Sequence, residues 1–241
     1  MPLHGANEAG DGPVNRARPV VAIDGPAGAG KSTVALKLAQ HLGFLLVDTG
    51  ALYRGIALSA MERGLDLDDG EALGHLANSL QLTFAQDAAG PPRLHIDGAD
   101  RSADIRSPEV SDGASRVSRH SQVREALLGI QRNLGAAGGV VLEGRDIGTV
   151  VFPDAEVKIF LTADPAIRAG RRVTDLQARG VEVDLAQTMA DLEQRDARDM
   201  ERTVAPLRAA SDAVQVDTSH MGLDAVVAQL AELVPHANGC L

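Results

Sequence analysis

Cysteine, aromatic residues and lysine are all scarce in this chain. One Cys stands in 241 residues, at Cys240. A disulfide framework and a Cys-based zinc site are therefore excluded, and a reducing, cytoplasmic setting is expected. Trp is absent, and one Tyr and four Phe leave no platform for stacking nucleic-acid bases. A basic field is also missing: the formal charge of -10 argues against a general nucleic-acid binder. No apolar run approaches the roughly 20 residues needed to cross a bilayer. Residues 1–18 are polar and Gly-containing, with no hydrophobic h-region. They are expected to form a disordered tail, not a secretory leader. The remainder, 19–241, suits one globular domain, or one core carrying inserted lobes.

Periodicity then supplies the elements. Val20-Val21-Ala22-Ile23 is a short β-branched run that stops at Asp24-Gly25. A Gly-rich turn leads to a helix over about 31–42, with Val34, Leu38 and Leu42 on one stripe, and then to a strand over 44–47. Strand, turn, helix, strand is a βαβ unit. Helices are expected over about 53–63 and 70–79. Beyond them the period changes, because Leu80, Leu82 and Phe84 alternate with polar residues, as do Leu94 and Ile96. That pattern predicts a small antiparallel hairpin turning at 87–92. Ser107-Pro108-Glu109 opens a helix with a cap, an N1 proline and a first-turn acid. Val123, Leu127, Ile130 and Leu134 mark a buried helical face further on. Val140–Leu142 and Val157–Leu161 are nearly all apolar, as strands of a parallel sheet covered on both faces are. Asp164-Pro165 starts a helix, Asp184 with Gln187 makes a capping-box pattern, a fifth strand fits 213–216, and a last helix fits 223–234. The fold class is α/β with a five-stranded parallel sheet.

Gly25-Pro26-Ala27-Gly28-Ala29-Gly30-Lys31-Ser32 matches G-x-x-x-x-G-K-[ST] in full, after a strand and before a helix. Glycines let successive N–H groups turn inward onto an anion. The following helix adds its unpaired donors and positive dipole end. Lys31 would meet the β- and γ-phosphates of a nucleoside triphosphate, and Ser32 offers a hydroxyl to Mg²⁺.

A regulatory GTPase would need a guanine-reading Asn-Lys-x-Asp, and no Asn-Lys pair occurs. Arginine dominates instead: of 23 Lys and Arg, only Lys31, Lys37 and Lys158 are Lys. Arg54 follows the second strand, in Asp48-Thr49-Gly50-Ala51-Leu52-Tyr53-Arg54, and Glu143-Gly144-Arg145-Asp146 follows the third, both at the carboxyl ends that face a ligand crevice. Arg168, Arg171 and Arg172 share one helix face. Arg195, Asp199 and Arg202 form a row beside the stripe of Leu185, Met189 and Leu192, half-buried at its edge. Any one such face could equally be a solvated one. Four of them near a phosphate loop favour phosphoryl transfer between two anions, where several cations must hold like-charged substrates together. A kinase for a small phosphorylated acceptor is the reading of the residues alone; a nucleotide-binding regulatory module is the alternative.

The residues also carry a family resemblance. Ile23 to Lys31, Asp48 to Arg54, and Glu143-Gly144-Arg145-Asp146-Ile147-Gly148-Thr149-Val150-Val151-Phe152-Pro153-Asp154-Ala155 resemble the bacterial-type cytidylate kinases. The likeness runs from about Val20 to Val234. It implies phosphoryl transfer from ATP to CMP or dCMP with Mg²⁺, in a monomeric three-layer P-loop fold. The core would be 19–49, 136–164 and 206–241, the monophosphate lobe with its hairpin 50–135, and a helical lid 165–205. Gly25 to Lys31 with Ser32 and Thr33 would hold ATP, and Arg168, Arg171 and Arg172 would close over its phosphates. Arg54, Arg145 and Arg202 would contact the CMP phosphate. Ser115, Arg124 and Asp146 would read cytosine, with Thr49 and Tyr53 close by, and Arg195 and Asp199 would bind the ribose. Glu143 stands where many relatives carry Asp, and Ser32 where some carry Gly.

Overall fold

The computed structural model describes residues 16–86 and 90–235. The expectations for residues 1–15, for the hairpin tip at 87–89 and for Cys240 lie outside the described residues. In chain order the first elements are β1 (Val20–Asp24), α1 (Lys31–Leu42), β2 (Leu45–Asp48), α2 (Thr49–Glu62) and α3 (Gly70–Ser79). Next come β3 (Leu82–Ala85), β4 (Arg93–Ile96), β5 (Ala99–Asp100), α4 (Pro108–Val117) and α5 (Ser121–Gly135). The chain continues through β6 (Val140–Glu143), β7 (Val157–Thr162), α6 (Pro165–Gln177), α7 (Leu185–Glu201), β8 (Val214–Asp217) and α8 (Leu223–Glu232).

The central sheet has five strands in the order β2-β6-β1-β7-β8, all parallel. Every residue of β1 and β6 is buried, which is why both read as continuous apolar runs rather than alternating ones. On one face Val34 and Leu38 of α1 and Val226 and Leu230 of α8 pack against Val21, Ile23 and Ile159. On the other, Val20, Ala22 and Leu142 meet Ile147, Val151 and Phe152, with Leu128 and Leu134 of α5 against them. These are the three expected layers. Register levels the strand ends, with Ile23 opposite Glu143 and Asp48 opposite Glu143. The segments that follow β1, β2 and β6 therefore open on one edge of the sheet.

A second apolar cluster lies between β2 and β6 in sequence. It joins Leu52 and Ile56 of α2, Leu73 and Leu76 of α3, Leu94 and Ile96 of β4, and Leu127 of α5. The expected hairpin is there, and it gains a third strand, β5. Asp97 (φ 51°) and Gly98 (φ 84°) make the connecting turn, a pairing of left-handed residues suited to a tight hairpin.

Other elements differ from expectation. Helix α2 starts at Thr49, not near 53, because Asp48 caps it, accepting from the Ala51 N–H at 3.0 Å. The helix opened by Ser107 ends at Val117, and α5 starts afresh at Ser121, with the His120 ring 3.0 Å from the Leu67 carbonyl in the break. Ile147–Val151 forms a π-turn that periodicity does not signal. On α7, Leu185 and Met189 are exposed, and the buried side is Thr188, Leu192, Asp196 and Asp199. The expected half-buried edge row is thus part of the packed face. No helix among the described residues is long and apolar enough to cross a membrane.

Candidate active site

The loop after β1 is shaped by close approach and by glycine conformation. Gly25 has φ +146°, and a Cβ there would sit 2.1 Å from the Leu161 carbonyl oxygen. Gly28 (φ +75°) and Gly30 (φ +89°) are left-handed, so the chain curls and enters α1 with no side chain capping the helix. The first-turn N–H groups of α1 are left for an anion. Lys31 is buried, and its Nζ spans the loop to donate to the Pro26 carbonyl at 2.7 Å. Burial, and then the nearby Arg145, push its pKa down. Burial, and then Asp48, push the Glu143 carboxyl up. Ser32 beside that carboxyl works against the rise, while Glu143 Oε1 is buried without a hydrogen-bond partner.

Across the same opening a charge network surrounds Asp146. One of its oxygens accepts from Arg124 Nη2 and the other from Arg202 Nη2 at 3.3 Å. Arg124 lies 5.7 Å from the Tyr53 ring centre, and its Nη1 is buried with no partner. Asp199 accepts from Arg145 Nε at 2.9 Å and from the Ser115 hydroxyl at 3.4 Å. Arg54 pairs with Asp48 at 2.6 Å. Burial first, then the Arg145 charge, pushes Arg195 down to about 10, with Arg54 and Arg172 adding to the effect. These guanidinium groups share one cavity of about 500 Å³ with the phosphate loop. Crowding these cations around an opening is unfavourable until anions enter it.

The cytidylate kinase family model matches residues 21–236 of this chain. The chain belongs to the cytidylate kinase family. A cytidylate kinase from Syntrophotalea carbinolica is 49% identical over 215 residues, covering 89% of this chain and 91% of its own. Another, from Pelotomaculum thermopropionicum, is 50% identical over 216 residues, covering 90% of this chain and 96% of its own. A solved gluconokinase from Sinorhizobium meliloti aligns over 91% of this chain and 93% of its own, at 17% identity and a TM-score of 0.44. Membership in the cytidylate kinase family makes this protein a phosphotransferase.

Each residue expected to touch ATP or CMP in this family member lines the cavity, except Gly25, Pro26 and Arg168. The first two shape the loop from behind. Arg168 corrects the expectation that it faces ATP phosphates. Its guanidinium is buried, donating to the Ala163 carbonyl at 3.1 Å, to the Ala27 carbonyl at 2.9 Å and to Asp196. Asp196 in turn accepts from the Ala27 N–H at 3.1 Å, so this pair clamps both backbone groups of one loop residue. Arg171 is on the cavity wall but is tied to Thr218, donating to its hydroxyl at 3.0 Å and its carbonyl at 2.7 Å. Of the three, Arg172 alone makes no ion pair or hydrogen bond among the described residues.

Asp196 was missed by sequence reasoning, although a signal existed. It continues the row of Leu185, Met189 and Leu192 by one helical turn, and a carboxylate at a packed position requires a partner. Removing it would leave the Arg168 guanidinium buried and unpaired. Asp196→Ala should therefore lower stability by about 3–5 kcal/mol in urea unfolding. A loss below about 1 kcal/mol would show the clamp to be energetically idle.

Proposed function

We propose that this protein moves the γ-phosphoryl group of ATP to CMP or dCMP, giving ADP and CDP or dCDP. One observation carries the reading: the phosphate loop and the Asp146 network line a single cavity. Two anionic nucleotides held there would meet end to end.

Each role follows from the residues present. The loop amides and Lys31 hold the triphosphate. Arg54, Arg145 and Arg202 hold the acceptor phosphate, with Arg172 between the two. Asp146 accepts from the exocyclic amine of cytosine, and the unpartnered Arg124 Nη1 donates to an acceptor on the ring edge. Uracil presents a carbonyl where cytosine has its amine, so it would leave Asp146 facing another acceptor. No general base is required, because the attacking oxygen belongs to a phosphate monoester already largely dianionic near pH 7. The guanidinium groups keep like charges together and stabilise the transferring group.

Mg²⁺ fits beside the loop. It takes one or two carboxylate or hydroxyl ligands and fills its remaining positions with phosphate oxygens and water. Ser32 and Glu143, whose Oε1 is buried and unsatisfied, would hold it. Bound there with ATP, it would draw charge off the bridging β,γ-oxygen. The core, monophosphate lobe (50–135) and lid (165–205) are the units expected to close around both substrates and exclude water. The small-molecule substrates suit a cytoplasmic enzyme. Formation of CDP from ATP, Mg²⁺ and CMP tests the reading; ATP binding without CDP would point to a regulatory module.

Asp199 and Arg195 lie where the ribose would sit. Asp199→Ala should lower kcat/KM for CMP about tenfold more than for dCMP, since only CMP loses a 2′-hydroxyl partner. Equal losses on both nucleotides would remove that role.

A further inference from the structure

The Arg145–Asp146 turn holds the groups that read the acceptor, and its backbone lies between β6 and the π-turn, outside both. Asp146 has φ −145° and ψ 27°, and the π-turn after it lacks a side-chain cap. The backbone just past it is held by Asp24, the last residue of β1. One Asp24 oxygen accepts from the Ile147 N–H and the other from the Gly148 N–H, both at 2.8 Å. The side chain is buried, and no Arg or Lys is within ion-pairing distance among the described residues. Both oxygens are therefore spent on holding two consecutive amides. Gly148 is fitted to this contact, since a Cβ there would meet Lys158 Cδ at 3.2 Å and Asp24 Oδ2 at 3.5 Å.

The placement is economical in sequence. Asp24 immediately precedes Gly25, so one residue ends the strand that feeds the phosphate loop and anchors the turn that presents Asp146. The β1–β6 register brings it there, with the Gly144 N–H donating to the Ile23 carbonyl at 3.0 Å. Burial first of all raises the Asp24 pKa to about 6, an unfavourable placement that the two amide bonds partly offset.

We infer that Asp24 is a positioning residue for pyrimidine discrimination: its carboxylate fixes the Ile147 and Gly148 amides, and through them the aim of Asp146. The inference rests on the CMP-kinase reading. A carboxylate matches two donors, whereas an amide of the same shape offers one acceptor and turns an NH₂ toward the second N–H. The turn must then shift, and Asp146 with it.

The test measures kcat/KM with CMP and with UMP, KM for ATP, and thermal midpoints, for wild type, Asp24→Asn and Asp24→Ser. Wild type failing to phosphorylate CMP in preference to UMP would overturn the functional reading itself. Where wild type shows that preference, the variants should lose about tenfold or more of the CMP-over-UMP ratio. KM for CMP should rise while KM for ATP stays within about twofold. An unchanged ratio, with both acceptors slowed equally, would overturn the inference. So would a rise in KM for ATP as large as that for CMP. Failure of both variants to fold would overturn it as well, assigning the carboxylate to stability alone.

Discussion

Lys31→Ala should reduce turnover about a thousandfold while leaving the protein folded. The two halves of that expectation have separate grounds. Lys31 makes one bond, to the Pro26 carbonyl inside its own loop, and supports no distant element. Its charge is buried, and burial is the first cause of its lowered pKa, so removing it relieves a desolvation cost. Ala is also the better helix former at the start of α1. Unfolding in urea should thus be unchanged or slightly harder. Catalysis has no substitute for the lost ammonium. Two arginines beside the loop are already committed, Arg168 to Ala27 and Asp196 and Arg171 to Thr218. Retention of a tenth or more of wild-type turnover would contradict the assignment of the loop.

Asp146→Ala should be nearly as severe, by a different route. Its two oxygens hold Arg124 and Arg202, whose side chains are almost wholly buried. Deleting the carboxylate leaves two guanidinium groups facing each other without their shared counter-charge, and the pocket must distort or admit water. It also removes the acceptor for the cytosine amine. We expect kcat/KM for CMP to fall by about three orders of magnitude, chiefly through KM for CMP. Any residual preference for CMP over UMP should disappear. KM for ATP should scarcely change, because the phosphate loop does not contact this carboxylate. Asp146→Asn keeps the shape and one acceptor, and should fall between wild type and Asp146→Ala. An equal rise in both KM values would mean that Asp146 maintains the cavity rather than reading the base.

Legibility in the sequence followed the locality of the physics. The phosphate loop is contiguous, and its glycines are required by backbone geometry at Gly25, Gly28 and Gly30, so eight residues in a row sufficed. The sheet was legible because β1 and β6 are buried on both faces and are apolar up to their last residues, Asp24 and Glu143. Segments after β1, β2 and β6 were placed at one crevice because parallel strands end on the same side, and the register bears this out. What escaped was set by contacts distant in sequence. Asp24 looked like a strand terminator, but its partners are 123 and 124 residues away. Arg168 looked like a phosphate ligand because helical spacing shows which residues share a face and not what that face meets. Its true partner, Asp196, is 28 residues on.

One cavity brings ATP to cytidine monophosphate. Steady-state kcat/KM for CMP, dCMP, UMP and AMP, at fixed saturating ATP and Mg²⁺, tests it most directly. CMP and dCMP should lead UMP by at least about tenfold, with AMP slower still. A preference for UMP or AMP over CMP would contradict it.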